Sequence, residues 1–373
     1  MFSKRTQWDK GLNDLHQTLE ALRSSGTDVI DATESNPTRC GFDYPAQWVA
    51  ALADPRNLTY DPQAVGLPSA REAVGEFCAF DPQHTILTAS TSESYSFLFR
   101  LLLDPHDHVL IPSPSYPLFQ FLLELNDASY DYYPLKYDNA WFLDFDALEA
   151  LVGPRTKAIV LVNPNNPTGS YIKDEEMFLL NIFCKKHGLA IISDEVFMDY
   201  RLEDGPFATL KGNSDVLTFV LGGLSKALAL PQMKLGWILT SGPQAQVKEA
   251  LARLEIIADT YLSLNTPVQH ALPVWLSCAS KIQQQIIERV KGNLAVLTAS
   301  GLDVLHVEGG WYAVIHIPNI KEEALVLELL SKHHILLHPG FFFDFTENGH
   351  MVVSLLPNPE HFDKMVLILR RYQ

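Results

Sequence analysis

Short apolar runs alternate with segments of helical periodicity through the middle of this chain. Residues 85–88, 108–111, 158–162 and 189–193 read as buried strands, and a helix is predicted at 95–103. Runs that are apolar on both faces are typical of parallel strands covered by helices. The alternation therefore predicts an α/β fold with a mostly parallel sheet flanked by helices.

The pattern changes at both ends of the chain. Leucines at helical spacing from about Gly11 to Arg23 predict an N-terminal helix packed on another part of the molecule, and these are Leu12, Leu15, Leu19 and Leu22. We expect residues 1–45 to form an arm that is part of the small domain. Residues 46–270 would then form the large domain.

The last third of the chain predicts a smaller α+β domain over residues 271–373. A long helical pattern over about 265–298 reads as a connecting helix between the domains, and strands at 303–306 and 311–317 precede a helix at 321–331. The aromatic run from Phe341 to Phe345 is most simply a core strand.

Composition and charge exclude several classes of protein. The 373 residues carry a formal net charge of −16, which argues against nucleic acid and anionic membranes as partners because both need a basic face. No signal peptide or apolar span is recognisable. The four cysteines lack metal-ligand or disulfide spacing, so we expect no metal site and a cytoplasmic protein with reduced thiols: Cys40, Cys78, Cys184 and Cys278.

One lysine lies between glycines and an apolar run, in the stretch from Gly222 to Trp237. Burial favours the neutral form of a lysine, and a neutral amine can condense with an aldehyde. Lys226 is therefore a candidate covalent anchor for pyridoxal phosphate. Taken alone, the stretch favours a surface lysine in a strand-to-helix turn over a cofactor anchor.

Two further stretches carry side chains suited to the same cofactor. The strand at 189–193 runs into Asp194, a carboxylate at the edge where open α/β sheets bind ligands. An anion there would keep a pyridinium nitrogen protonated, although an acid at a strand end is often a helix cap. The strand at 158–162 ends in Asn163-Pro-Asn-Asn166-Pro-Thr-Gly169, a turn that elsewhere could simply reverse the chain.

These motifs, in this order, resemble the class I/II aminotransferase family of fold-type I pyridoxal-phosphate enzymes. The resemblance runs from about Thr33 to the C-terminus and implies pyridoxal 5'-phosphate as cofactor. It further implies that Lys226 forms the internal aldimine, that Asp194 pairs with the ring nitrogen, and that Asn166 hydrogen-bonds the ring hydroxyl. The expected fold is a large domain with a mostly parallel sheet and a smaller α+β domain.

The resemblance implies other cofactor contacts as well. Thr91 and Ser92, at a helix N-terminus, would hold the phosphate, because such a terminus offers unpaired N–H groups, and Ser225 is implied there too. Tyr116 would stack on the pyridine ring. Tyr60 would reach the phosphate of the neighbouring subunit, which implies a homodimer with shared active sites.

Three positions depart from the family pattern. Phe197 stands where a tyrosine usually donates to the ring oxygen, and Lys234 stands where an arginine usually clamps the phosphate. Val352 stands where an arginine usually binds the substrate carboxylate. Either another cation holds the carboxylate, with Arg39 preferred to His338, or the substrate lacks one. The expected substrate-binding residues are Asn36, Arg39, Trp311 and His338.

The sequence thus predicts an aminotransferase that moves an amino group between an amino acid and a 2-oxo acid, through Lys226, with ping-pong kinetics. Two alternatives stay open because a scaffold does not fix a reaction. One is a C–S lyase or decarboxylase on the same fold. The other is a cofactor-binding protein with little catalytic activity.

Overall fold

A computed structural model describes residues 1–8 and 13–372 of the chain. Its strands, numbered in chain order, are Ile30–Asp31 (β1), Thr85–Thr88 (β2), His108–Ser113 (β3), Ser129–Tyr137 (β4), Trp141–Leu143 (β5), Thr156–Val162 (β6), Ala190–Asp194 (β7), Thr218–Gly223 (β8), Gly236–Ser241 (β9), Asp303–Val304 (β10), Tyr312–His316 (β11), Ile335–Leu336 (β12), His338–Pro339 (β13) and His350–Ser354 (β14).

The α-helices in these residues are Asp14–Ser24 (α1), Gln47–Ala50 (α2), Pro68–Cys78 (α3), Thr91–Leu102 (α4), Phe119–Leu125 (α5), Phe145–Leu151 (α6), Asp174–His187 (α7), Leu224–Ala227 (α8), Gln244–Tyr261 (α9), Thr266–Leu276 (α10), Ala279–Ala299 (α11), Glu322–His333 (α12) and Pro359–Leu369 (α13). Within this part of the chain, none of them is long and apolar enough to cross a membrane.

Eight strands form the large sheet, in the order β2-β9-β8-β7-β6-β3-β4-β5. The strands from β8 to β4 along this order are parallel. Strand β9 is antiparallel to both β2 and β8, so β2 points the same way as β8. As a result, β2, β3, β6, β7 and β8 all end at one edge of the sheet.

The central strands are buried on both faces, as their continuous apolar sequence predicts. Every residue of β7, β8 and β9 is buried. Alternate side chains of β8 pack into two separate apolar cores, with Val220 in one and Phe219 in the other. Helix α4 packs against the second core through Tyr95, Leu98 and Phe99.

A second sheet, antiparallel and in the order β10-β11-β14-β13, belongs to the C-terminal part of the chain. The N-terminal segment joins this part, because β1 pairs in parallel with β12 and α1 packs on α12. Leu15 and Leu19 of α1 are buried as expected. Gly11 and Leu12, where the helix was predicted to begin, lie outside the described residues.

Two expectations for the C-terminal third are wrong in detail. The predicted connecting helix over 265–298 is two helices, α10 and α11, separated at Ser277 and Cys278. The aromatic run is not a strand: Gly340–Phe343 forms a 3-10 turn, and Phe341 is exposed. The turn follows the two-residue strand β13, and Asp344 ends it in a left-handed conformation with φ 60°.

Candidate active site

The predicted catalytic pair meets at the carboxyl edge of the large sheet. Asp194 is the last residue of β7, and Lys226 lies in the short helix α8 that follows the adjacent strand β8. Both line a cavity of about 160 Å³. In the described part of the chain, they are the only charged residues that line it.

The side chain of Lys226 lies among aromatic rings. Its Nζ is 5.2 Å from the ring centre of Phe197 and 4.9 Å from that of Trp311. Burial lowers the pKa of Lys226 to about 8, and the nearby Asp194 carboxylate opposes that shift. The neutral form, which a nucleophile or base requires, is therefore still the minor form at pH 7 but far more abundant than in an exposed lysine.

Asp194 is held by two hydrogen bonds. The hydroxyl of Tyr95 donates to its Oδ2 at 3.0 Å, and the backbone N–H of Val196 donates to its Oδ1 at 3.2 Å. Burial raises the pKa of Asp194 to about 6, while these bonds and Lys226 lower it. At pH 7 the carboxyl is thus mostly ionised and fixed in orientation.

Tyr95 was not identified from the sequence. It lies among apolar residues of helix α4, where an aromatic side chain reads as core packing, and it is almost fully buried. Its hydroxyl sets it apart from the neighbouring core residues, because a buried phenol needs a hydrogen-bond partner. The structure assigns that partner as the carboxylate of Asp194.

We expect Tyr95→Phe to destabilise the protein by about 1 kcal/mol at pH 7. The lost bond favours ionised Asp194, so the folded-state pKa of Asp194 rises above about 6. The loss of stability should be largest above that pH and fade toward pH 4, where the carboxyl is protonated in both variants. Denaturant unfolding across this range measures it.

Tyr133→Phe is the matched control for this variant. Tyr133 is equally buried, but its hydroxyl donates to the backbone oxygen of Val160, which does not titrate. Its effect should therefore be the same at pH 4 and pH 7. Equal pH dependence in the two variants would contradict the proposed support of ionised Asp194.

The turn after β6 contains three asparagines, of which two hydrogen-bond within the protein and one lines the cavity. Asn163 accepts from the N–H of Ile172 and donates to the oxygen of Ala208, and Asn165 accepts from the N–H and hydroxyl of Thr168. Asn166 lines the cavity, and its buried Oδ1 has no partner among the described residues. Of the three, Asn166 is the one free to bind a ligand.

Gly169 ends this turn and joins it to the C-terminal part of the chain. Its φ is +73°, and a Cβ there would lie 2.5 Å from the backbone oxygen of Gly309. The N–H of Gly309 donates to the oxygen of Gly169 at 2.9 Å. Only glycine fits this close approach.

Helix α4 begins beside the cavity. The hydroxyl of Ser90 caps it by accepting from the N–H of Glu93, whereas Thr91 and Ser92 line the cavity. As first residues of a helix, they have N–H groups with no intrahelical acceptor. A Cβ on Gly236 would lie 3.1 Å from the nitrogen of Thr91, so glycine there keeps this edge open.

The structure brings most predicted cofactor residues to one cavity. Its lining includes Thr91, Ser92, Tyr116, Asn166, Asp194, Phe197, Ser225 and Lys226. It also includes Ser35 and Tyr312, which the sequence did not single out. Burial raises the pKa of Tyr312 to about 12, so its hydroxyl stays protonated.

Other predicted residues do not line the cavity. Asn36 caps its own turn by accepting from the N–H and hydroxyl of Thr38. Arg39 has a side chain that is 74% exposed, 4.0 Å from Glu34. Lys234 is exposed and left-handed, with φ 50°.

Three further predicted residues, Trp311, His338 and Tyr60, also lie outside the cavity lining and differ in burial. Trp311 is fully buried but contacts Lys226. His338 packs against Phe343 in the small sheet. Tyr60 is 78% exposed and lies on the surface of this single chain.

Known proteins are similar to this chain in sequence and fold over nearly its whole length. Residues 25–361 match the family described as aminotransferase class I and II. The glutamate-pyruvate aminotransferase AlaA of Haemophilus influenzae is 28% identical over 96% of this chain and 94% of its own. An alanine aminotransferase of Mycobacterium tuberculosis is 28% identical, covering 92% and 85% respectively.

Solved structures give the same result for the fold. An alanine aminotransferase from Pyrococcus furiosus superposes with a TM-score of 0.89 at 25% identity, with both chains fully covered. An aspartate aminotransferase from Thermotoga maritima, at 22% identity, shares the fold with a TM-score of 0.87. The chain therefore belongs to the class I and II aminotransferase family, and it is an aminotransferase of fold type I.

Proposed function

We propose that this aminotransferase uses pyridoxal 5'-phosphate, attached to the amine of Lys226, to move an amino group between an amino acid and a 2-oxo acid. One observation carries the proposal. A lysine with a lowered pKa shares a cavity with one buried carboxylate, at the carboxyl edge of a parallel sheet. That combination suits an aldehyde cofactor with a basic ring nitrogen.

The residues around the cavity fit the two ends of this cofactor. Thr91 and Ser92 would hold its phosphate through the N-terminus of α4, with Ser225 beside them. The unpartnered Asn166 amide would meet the ring hydroxyl. Tyr116 and Phe197 would enclose the ring.

The two departures at the cofactor site have distinct consequences. Phe197 has no hydroxyl and cannot donate a hydrogen bond to the cofactor. Its ring instead packs beside the amine of Lys226. Lys234 is exposed, and a lysine lacks the fork with which an arginine binds phosphate. We expect the helix terminus to carry more of the phosphate binding than Lys234 does.

When bound, the cofactor supplies an electron sink for the bond that breaks at the amino carbon. Asp194 would keep a proton on the ring nitrogen, and Tyr95 and Val196 hold its carboxylate in place for that task. Lys226, as a neutral amine, would take a proton from the substrate carbon onto its Nζ and deliver it to the cofactor. Because one cavity serves both substrates in turn, the kinetics should be ping-pong.

We also propose a homodimer with shared active sites. Tyr60 is exposed together with Leu58, Tyr261 and Leu262, and Tyr60 and Leu262 line one shallow cleft. Apolar surface of this kind marks contact with another chain.

Residues 46–270 would form the large domain, and 1–45 with 271–373 the small one. Free cysteines throughout the described residues fit a cytoplasmic location.

If Tyr60 reaches the phosphate in a partner subunit, Tyr60→Phe should weaken cofactor binding by about 10-fold, the loss of one hydrogen bond to a charged group. Titration of the cofactor-free protein with pyridoxal 5'-phosphate measures the dissociation constant. Tyr137→Phe, a change at an exposed tyrosine outside this apolar surface, is the control. An unchanged constant in Tyr60→Phe, or a monomer by sedimentation, would refute the shared site.

The overall reaction is tested with the purified holoenzyme and a panel of amino acids. We expect loss of the aldehyde form of the cofactor, seen by absorbance, and its recovery when a 2-oxo acid is added. Release of ammonia and a 2-oxo acid in place of recovery would indicate a lyase. An unchanged spectrum with every amino compound would indicate a binding protein.

A further inference from the structure

The wall of the cavity is neutral apart from the reacting pair. Among the described residues that line it, Lys226 is the one cation and Asp194 the one anion. In the proposed reaction both are already committed, Lys226 to the cofactor and Asp194 to its ring. A carboxylate next to the reacting amine would thus find no free cation in the part of the wall that this chain supplies.

The cations expected to bind a carboxylate are not available there. The side chain of Arg39 is 74% exposed, and its guanidinium lies 4.0 Å from the Glu34 carboxylate. Burial lowers the pKa of His338, so its ring is neutral at pH 7. The ring packs between Phe342 and Phe343, with centroid distances of 5.8 and 5.6 Å.

The small sheet turns an uncharged face toward the cavity. Val352 of β14 is paired with Val314 of β11 on one side and with His338 of β13 on the other. Tyr312 lies two residues from Val314, so its side chain is on the same face, and it lines the cavity. Val352 is 1% exposed and lies behind Tyr312 without lining the cavity itself, so this face offers packing and no charge.

Neutral polar groups complete the wall. Burial raises the pKa of both Tyr116 and Tyr312, which keeps their hydroxyls protonated. Ser35 adds a third hydroxyl. These groups match a substrate hydroxyl or hydrocarbon, whereas a buried carboxylate without a cation is strongly disfavoured.

We propose that the amino donor of this enzyme carries no carboxylate on the carbon that bears its amine, and presents neutral hydroxyl or hydrocarbon groups there. Amino alcohols and amino acids whose reacting amine is remote from the carboxylate belong to this class. The inference rests on the proposed transamination, but it removes α-amino acids from the proposed donors and adds amino alcohols to them.

The reaction balances without an added oxidant. The C–N bond of the donor breaks, and water supplies the oxygen of the new carbonyl group. The nitrogen and the electron pair pass to the carbonyl acceptor in the second half-reaction, which releases one water. A 2-oxo acid acceptor meets the same neutral wall, so we expect a high KM for it.

Alanine and 2-aminopropan-1-ol form a matched pair of probes, because they differ only in a carboxylate against a hydroxymethyl group. With the wild-type holoenzyme, single-turnover loss of the cofactor's aldehyde absorbance should give a kcat/KM at least about 10-fold higher for the amino alcohol. Val352→Arg should reverse this preference and lower the KM of the 2-oxo acid. Val296→Arg, which adds the same charge on the exposed side of α11, should leave the preference unchanged.

The outcomes separate the two proposals. A wild-type preference for alanine of 10-fold or more would overturn the inference and leave transamination intact, and it would do so even if Val352→Arg failed to fold. Loss of alanine turnover in Arg39→Ala would overturn it as well. If neither amine changed the absorbance of the bound cofactor, the proposed function itself would fall.

Discussion

Replacing Lys226 with alanine should reduce amino-group transfer by at least about 10²- to 10⁴-fold, the usual contribution of one positioned acid–base group. The loss should exceed this range if Lys226 also anchors the cofactor, because the variant then lacks both functions. The measurement is single-turnover conversion of the bound cofactor by an amine. The substrate dissociation constant should change far less than the rate.

Lys211→Ala is the matched control for the loss of a lysine. Lys211 lines a separate cavity beside Asp199 and donates to the backbone oxygen of Cys78, so its loss should leave the transfer rate nearly unchanged. Added methylamine should restore part of the activity of Lys226→Ala, because it replaces the missing amine. A Lys226→Ala enzyme with more than a tenth of wild-type activity would contradict the assignment.

Replacing Asp194 with asparagine should lower the transfer rate by about 10²- to 10³-fold, the size expected when a preorganised charge is removed from a catalytic site. The change also removes the anion that opposes the burial of the Lys226 cation. We therefore expect the pKa of Lys226 to fall below about 8. The midpoint of the pH dependence of cofactor attachment should move to lower pH by the same amount.

Asp194→Glu tests whether charge alone is sufficient. It keeps the anion but displaces it from the hydroxyl of Tyr95, so it should recover the pKa of Lys226 better than it recovers the rate. Asp199→Asn, at a carboxylate outside the cavity, is the control. An Asp194→Asn variant with wild-type rate and pH dependence would show that this carboxylate does not serve the reaction.

The sheet could be predicted in part because its central strands are apolar on both faces, which is a local property of the sequence. The position of β9 could not. Strand β9, Gly236–Ser241, lies antiparallel between β2 and β8. Because β2 and β9 are about 150 residues apart in the chain, no local sequence pattern indicates that they pair. The break between α10 and α11 was missed because helical periodicity continues across it.

The sequence singles out the proposed reacting pair, Lys226 and Asp194, which line one cavity in the structure, because their chemistry is unusual for their place in the sequence. A lysine among apolar residues and an acid at the end of a buried strand are both costly to bury, so each indicates a functional role. Tyr95 could not, since a tyrosine among apolar helical residues looks like packing. Only the fold shows that its hydroxyl meets Asp194.

Two substrate-side residues were predicted one position away from those that line the cavity. Trp311 was expected and contacts Lys226, whereas its neighbour Tyr312 lines the wall, because adjacent residues at the start of β11 point in different directions. Asn36 was expected, but Ser35 lines the wall, because the Asn36 side chain is used to cap its own turn. A motif identifies a segment, and the backbone decides which side chain reaches the site.

The most direct test of the central claim is to find the residue that carries the cofactor. The holoenzyme is reduced with borohydride, digested and analysed by peptide mass spectrometry. We predict that the mass of the reduced cofactor lies on Lys226, within the peptide that follows β8. Its appearance on another lysine, or on none in a protein that binds the cofactor and transfers amino groups, would contradict the account.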